Sequence, residues 1–304
     1  MNIYKNKIIF DILMKMQYIG AHINKESGSL IKTMNVIKKQ NGNALQLFVS
    51  NPRSASLPNM QTYQEASKEI QEYCIQHDFK LVIHASYTIN LAKEPKEGKK
   101  TMEWSDCYWI KLLLHELIAA DMIGAMAVVV HVGKYTSSKP DAALMNMFKA
   151  ISYIVDNMHE LKLKCKLLIE TPAGAGTELL TDIRDFLQFY NTFDASQKKY
   201  MGICLDTAHI WSTGYDINEY YKIVKESNAK DVLVIHFNNS KREKGSHVDA
   251  HETLFNGDIP QDSLQHFADS LSHQPIIILE KPSSDMKKEF QFIEESCASA
   301  TRSK

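Results

Sequence analysis

Nine residues of metal-ligating type stand at or just beyond the ends of short apolar runs: His84, His131, Glu170, Asp206, His209, His236, Asp249, His251 and Glu280. Imidazole nitrogens and carboxylate oxygens without cysteine form the donor set of a hydrolytic Zn²⁺ or Mn²⁺ centre, whereas structural zinc knots rely on thiolates. One cation cannot use nine ligands. Three cations at three or four ligands each, with one carboxylate shared, would use them all, so the ligand count predicts a multinuclear hydrolase site. Two local spacings support this. Asp206 and His209 are three residues apart where an apolar run gives way to a loop, and Asp249 and His251 alternate in an extended segment that puts both side chains on one face. His247 continues that alternation and competes with His251 on spacing. A single His or Glu at a strand end is more often a hydrogen-bonded support than a ligand, but six in succession outweigh that expectation.

Residues so far apart in sequence need a scaffold that gathers them. Eight runs read as strands, at 18–22, 45–48, 81–84, 127–131, 167–170, 202–206, 232–237 and 276–280. Runs such as AVVVH and VLVIH are apolar on both faces, as in a parallel sheet covered by helices on one side and filled on the other. The segments between them are long enough for a helix and a return. Thr62 to Glu65 reads as a capping box ahead of an apolar face of Ala66, Ile70, Tyr73, Cys74 and His77, residues 109–123 form a strongly apolar helix, and Asp216 with Glu219 starts another. The fold class is therefore α/β, and eight βα units predict a (β/α)₈ barrel whose C-terminal mouth collects residues from strand ends. Closure would bring six of the nine residues onto one rim, where an open sheet would spread them along a line. One barrel domain is expected over 18–290, with an N-terminal extension over 1–17 and a C-terminal tail over 291–304.

Bulk properties narrow the class. The chain has 304 residues, 44% hydrophobic and 23% charged, with a formal net charge of −1, so any polyanion footprint must be local. Candidate basic patches are Lys38-Lys39, the Lys93 to Lys100 segment, and Lys241-Arg242 with Lys244. Five cysteines without a CxxC pair point to a reducing compartment, and Cys204 reads as a small core residue. No apolar run is long enough to span a bilayer, and the opening segment lacks an export signal, so an intracellular location without membrane contact is expected. Gly174-Ala-Gly176-Thr177 lacks the ending of a phosphate-binding loop and is expected only to let the chain turn. His115, His159, His266 and His273 lack partners and are assigned to surface or packing. His22, at the first strand end, is expected to support a ligand by a hydrogen bond.

The segments YIGAH (18–22), NPR (51–53), HASY (84–87), HVG (131–133), ETPAG (170–174), DTAH (206–209), HFNNSK (236–241), GSHVDAHE (245–252) and LEKP (279–282) together resemble the signature segments of the endonuclease IV family. These are metal-dependent apurinic/apyrimidinic (AP) endonucleases, hydrolases of the deoxyribonuclease IV type in base-excision repair. The resemblance runs from about Tyr18 to Pro282, and DTAHIWSTG with the Phe of HETLFNG is nearer to a viral branch than to the bacterial one. It implies three zinc ions, with Mn²⁺ possible at one or more positions. His84 and His131 would hold the first, Asp206, His236 and Glu280 the second, and His209, Asp249 and His251 the third. Glu170 would bridge the first two and is the residue expected to be catalytic. A water between the bridged cations would act as hydroxide on the phosphodiester 5′ to an abasic site, leaving a 3′-hydroxyl and a 5′-deoxyribose phosphate. The expected partner is duplex DNA containing abasic sites, met by a monomer, with Arg53 and Tyr87 holding the lesion out of the stack.

Three departures from the family pattern stand at the DNA-facing loops: Thr88 in place of a leucine wedge, Ala250 in place of an arginine, and Phe255-Asn256 in place of Gly-Glu. Two other functions compete. A sugar isomerase or epimerase of the xylose-isomerase-like barrels would need only Glu170, Asp206, His236 and Glu280, leaving the other five without a purpose. A non-catalytic module that binds abasic sites would need no intact ligand set.

Overall fold

A computed structural model of the protein describes residues 17–25, 29–271 and 275–302; the expected N-terminal extension, Gln17 apart, and His273 lie outside them. Eight parallel strands close on themselves in chain order. They are β1 (Ile19–His22), β2 (Ala44–Leu47), β3 (Lys80–His84), β4 (Ala127–His131), β5 (Lys166–Glu170), β6 (Met201–Asp206), β7 (Val232–His236) and β8 (Ile276–Leu279). Closure is made by β1, which pairs with β2 through Gly20 and Ala44 and with β8 through Ile19 and Ile277. The predicted (β/α)₈ barrel is thus the observed fold, with strand bounds within a residue or so of expectation.

The helices are α1 (Leu30–Lys39), α2 (Met60–His77), α3 (Tyr108–Met122), α4 (Pro140–Glu160), α5 (Ile183–Asn191), α6 (Thr207–Ser212), α7 (Ile217–Ser227), α8 (Gln261–Asp269) and α9 (Met286–Arg302). Local chemistry explains several starts. Asp216 accepts the amides of Asn218 and Glu219 at 2.9 and 3.2 Å, as expected of an N-cap, and Pro140 opens α4 where no amide is needed. The capping box at Thr62 is not formed. Asn59 caps α2 instead, accepting the Thr62 amide at 3.4 Å, and Glu65 takes the Gln61 side chain at 2.8 Å. A good capping side chain three residues earlier leaves Thr62 inside the first turn. Of the face expected for α2, Ile70 and Tyr73 are buried and Ala66 and Cys74 pack at the margin, but His77 is exposed.

Position 290, the expected end of the barrel, falls inside α9. Phe290 and Ile293 are buried, so this helix completes the outer ring, and the expected tail is helical as far as Arg302. No helix among the described residues is long and apolar enough to cross a membrane, and all five cysteines are free.

Two apolar layers result. The larger lies between strands and helices, built from residues such as Leu113, Leu117, Ile154 and Phe186. The smaller fills the barrel with Ala44, Val82, Ala127, Val129, Leu168, Cys204, Val234, Ile276 and Ile278. Strand side chains alternate faces, so residues two positions beyond these also face inward. Those residues are Gln46, His84, His131, Glu170, Asp206, His236 and Glu280. The apolar plug and the polar rim are consecutive layers of the same alternation.

Candidate metal centre

Glu170 stands at the middle of the rim, fully buried. Its Oε2 lies 3.5 Å from Nε2 of His84 and 3.2 Å from Nε2 of His131, and its Oε1 lies 2.8 Å from Nδ1 of His236. The same His236 nitrogen is 3.2 Å from Oε2 of Glu280 and 3.7 Å from Oδ2 of Asp206. Beyond Asp206, His251 Nε2 is 3.3 Å from its Oδ2 and 3.4 Å from both His209 Nε2 and Asp249 Oδ1, while His209 Nε2 is 3.3 Å from Asp249 Oδ1. Four overlapping groups among the described residues have ligand atoms within 4.8 Å of one another: His84, His131 and Glu170; Glu170, Asp206, His236 and Glu280; Asp206, His209 and His251; and Glu170 and His236 with the buried Cys204 below them. All nine residues singled out in the sequence are brought together. His247 is not; it is exposed, at φ 54°, and turned toward Gly174.

Surrounding groups leave the inward-facing nitrogens available. A carbonyl can only accept, so the contacts of His84 Nδ1 with the Ala85 carbonyl at 2.8 Å and of His209 Nδ1 with the Thr171 carbonyl at 2.9 Å make both Nδ1 atoms donors. Each Nε2 then turns a lone pair to the cluster. Gln46 does the same for His236. Its Oε1 meets His236 Nε2 at 2.8 Å while its amide donates to Glu280 and to His22 Nδ1, both at 3.0 Å, and the Glu280 carboxylate fixes which way the amide points. Asn238 donates to Asp206 at 2.8 Å and to Glu280 at 3.2 Å, and Thr171 Oγ1 receives the Asp206 amide at 2.9 Å. His22 thus supports the rim through Gln46, as its position suggested. Gln46, Asn238 and Thr171 escaped the reading of the sequence. Asn238 and Thr171 stand just beyond strand ends and Gln46 stands inside β2, so polarity in or beside an apolar run was the only signal.

The donor set fits cations. Glu170 Oε2 is buried with no hydrogen-bond donor, and carboxylates converge on bare imidazole nitrogens. Without a cation the charges adjust among themselves. Burial opposes ionisation of Glu170, but the imidazoles of His131 and His236 overcome it and hold the carboxyl well below its usual range. Burial likewise disfavours charge on His84 and His251, yet Glu170 beside the first and Asp206 beside the second push both up to about 9.

The rim opens into a cleft of about 490 Å³ lined by Phe48, Tyr87, Asp249 and His251 among others. Tyr87 is 56% exposed, its ring centroid 5.5 Å from that of His84 and 5.7 Å from that of His131. Arg53 is exposed on the neighbouring loop. Thr88 points the other way, its Oγ1 bonded to the Ser54 carbonyl at 3.2 Å and to Ser86 Oγ at 2.9 Å. Of the basic patches, Lys93 to Lys100 lies in the β3–α3 connection and Lys241 to Lys244 in the loop after β7, both on the mouth side. Lys38 and Lys39 end α1, at the opposite face, where they complement the helix C-terminus. Gly174 and Gly176 have φ of 79° and 64°, so the loop after β5 turns as expected.

Residues 35–296 match the family described as the xylose isomerase-like TIM barrel. An endonuclease 4 homologue from Acanthamoeba polyphaga mimivirus is 30% identical over 287 residues, 90% of this chain and 88% of that protein. A second, from Pediococcus pentosaceus, is 29% identical over 274 residues, 87% of each chain. Among solved structures, endonuclease IV from Thermus thermophilus superposes with a TM-score of 0.69 at 22% identity, covering 93% of this chain and 99% of that one. A D-tagatose 3-epimerase-like protein also reaches 0.69, at 17% identity, covering 93% of this chain and 99% of that one. Backbone likeness at these identities carries the fold alone; the sequence relatives separate nuclease from epimerase.

Proposed function

Because the chain belongs to the endonuclease IV family of AP endonucleases, within the xylose isomerase-like TIM barrels, we propose that it hydrolyses the phosphodiester 5′ to an abasic site in duplex DNA. The products are a 3′-hydroxyl and a 5′-deoxyribose phosphate. The observation that carries this reading is the convergence of all nine ligand-type residues on one rim, eight of them in overlapping groups and Asp249 at 3.3 and 3.4 Å from His209 and His251. A sugar epimerase needs only the Glu170, Asp206, His236 and Glu280 quartet and would leave His84, His131, His209, Asp249 and His251 crowded there without a task.

We assign His84 and His131 to one cation, Asp206, His236 and Glu280 to a second, and His209, Asp249 and His251 to a third, with Glu170 bridging the first two. Zinc is the expected metal, and Mn²⁺ suits the same donors. Bound there, such cations supply Lewis acidity and bring a water's proton loss near neutral pH. The protein's own part is positional. Glu170 presents one oxygen to each neighbouring group, and Gln46, Asn238 and Thr171 fix the rotamers and tautomers of the ligands. Tyr87 lines the cleft where an extruded sugar would sit, with Arg53 exposed on the adjoining loop, and unstacking costs least where the base is already missing. The two mouth-side basic patches offer phosphate contacts that a net charge of −1 conceals. Duplex DNA is the partner, met by a monomer inside the cell, and the nine intact ligand positions speak against a module that binds without cutting.

The test is a duplex with one tetrahydrofuran abasic analogue, incubated with and without prolonged chelation and resolved at nucleotide resolution. Metal-dependent incision 5′ to the lesion is expected. Binding without cleavage would indicate the non-catalytic module, and neither binding nor cleavage would return the epimerase to first place.

A further inference from the structure

Glu116 is a fully buried acid on α3 that the reaction does not use. Among the described residues it forms no ion pair; its carboxylate is satisfied by loops. Ser50 Oγ donates to its Oε1, and the Ser86 amide lies 3.3 Å from both oxygens. Ser50 lies in the loop after β2 that carries Arg53, and Ser86 lies in the loop after β3 that carries Tyr87. These loops are also joined to each other. Ser86 Oγ reaches the carbonyls of Pro52 at 3.1 Å and Ser54 at 3.3 Å, Thr88 Oγ1 reaches Ser54 at 3.2 Å, and the Tyr87 amide donates to Pro52 at 3.0 Å. Two segments without regular structure thereby become one unit standing on a single carboxylate. Burying an acid without a cation is costly, and burial pushes this carboxyl up to about 7, so an apolar residue would pack more cheaply unless the acceptor is needed.

We propose that Glu116 is a positioning residue for lesion engagement: acting through Ser50 and Ser86, it sets the separation of Arg53 and Tyr87 at the mouth of the cleft. This rests on the endonuclease reading above. Preorganisation of this kind acts on substrate engagement, because two contacts held at the right spacing need not be ordered when DNA arrives. Thr88 takes part through its hydroxyl, which gives a task to a residue that departs from the family's leucine.

The experiment measures kcat and KM on the tetrahydrofuran duplex for the metal-loaded full chain and its Glu116→Leu, Glu116→Gln, Tyr87→Ala and Tyr87→Ala/Glu116→Leu variants, with metal content and melting temperature as controls. Glu116→Leu is expected to raise KM about tenfold, with kcat within about threefold and metal content unchanged. Glu116→Gln retains Oε1, which serves both loops, and is expected to stay within about threefold of wild type. In the Tyr87→Ala background the Glu116→Leu penalty is expected to shrink to about threefold or less, because the contact it positions is gone. An unchanged KM in folded Glu116→Leu, or a full penalty in both backgrounds, overturns the proposal. Should Glu116→Leu not fold, Ser50→Ala severs one loop alone and must raise KM in the wild type but not in an Arg53→Ala background; an equal effect in both overturns it. Failure of wild type to incise defeats the endonuclease reading, whereas normal incision with indifferent variants defeats only this one.

Discussion

Glu170 Oε2, buried without a donor between two imidazoles, sets the sharpest test of a single residue. Glu170→Gln keeps the shape and removes the bridging charge, so incision is expected to fall by at least about 10²-fold with lower bound metal, read by kinetics and elemental analysis. Near-normal turnover would sink the three-cation assignment. Gln46→Leu spares every ligand but releases His236 Nε2 and Glu280, and about a 10- to 100-fold loss in metal affinity is expected by competition with a chromogenic chelator. The two residues differ in how visible they were in the sequence. Glu170 ends an apolar run, where a carboxylate is conspicuous. Gln46 sits inside such a run, and its meaning comes from His236, 190 residues away, which no local pattern reveals.

At the scale of elements, the period-two alternation of each strand carried most of what could be read. A run ending in a ligand implies an apolar partner two residues earlier, and Leu168 below Glu170 and Val129 below His131 satisfy it. Leu168→Ala would open a cavity directly under the bridging residue. A stability loss of about 2–5 kcal/mol by denaturant unfolding is expected, together with reduced metal occupancy. A loss confined to stability would show that rim and plug are independent. Loops were less legible because their hydrogen bonds run between segments. The inward turn of Thr88 depends on Ser54, the start of α2 was decided by Asn59 rather than by the motif at Thr62, and the ribbon of Lys96–Glu97 with Lys100–Thr101, although it turns on Gly98 at φ 59°, has strands too short to show an alternation. The expected tail became α9 because the barrel's outer ring needs a helix against β1 and α8.

For the whole molecule, the candidate metal centre gathers residues from the ends of six barrel strands, so cation occupancy should be felt by the fold. Without cations the four carboxylates of the rim are balanced only by protons held on the imidazoles, whereas cations would bind the folded arrangement and not the unfolded chain. Prolonged chelation is expected to lower the melting temperature by more than about 5 °C, with recovery on adding zinc; an unchanged transition would argue that the rim carries little of the folding energy. Proton linkage has a definite sign. Burial disfavours charge on His84 and His251, but the neighbouring carboxylates raise both to about 9, so the metal-free protein holds these protons at pH 7. Cation entry must expel them. Uptake should therefore release protons at pH 7 and weaken as the pH falls, which calorimetry in two buffers of different ionisation enthalpy will count.

Asp206 both ends β6 and caps α6, accepting the His209 amide at 2.9 Å, so strand passes into helix with nothing between them. Asp206 and His209 are thus built into the framework, while Asp249 rides on an exposed ten-residue excursion between the short strands Asn239–Ser240 and His251–Glu252. Selection can edit that excursion in length and charge without disturbing the barrel. Descendants of one scaffold could diverge in the damage they accept by rewriting a single span, and Ala250 would be one such edit.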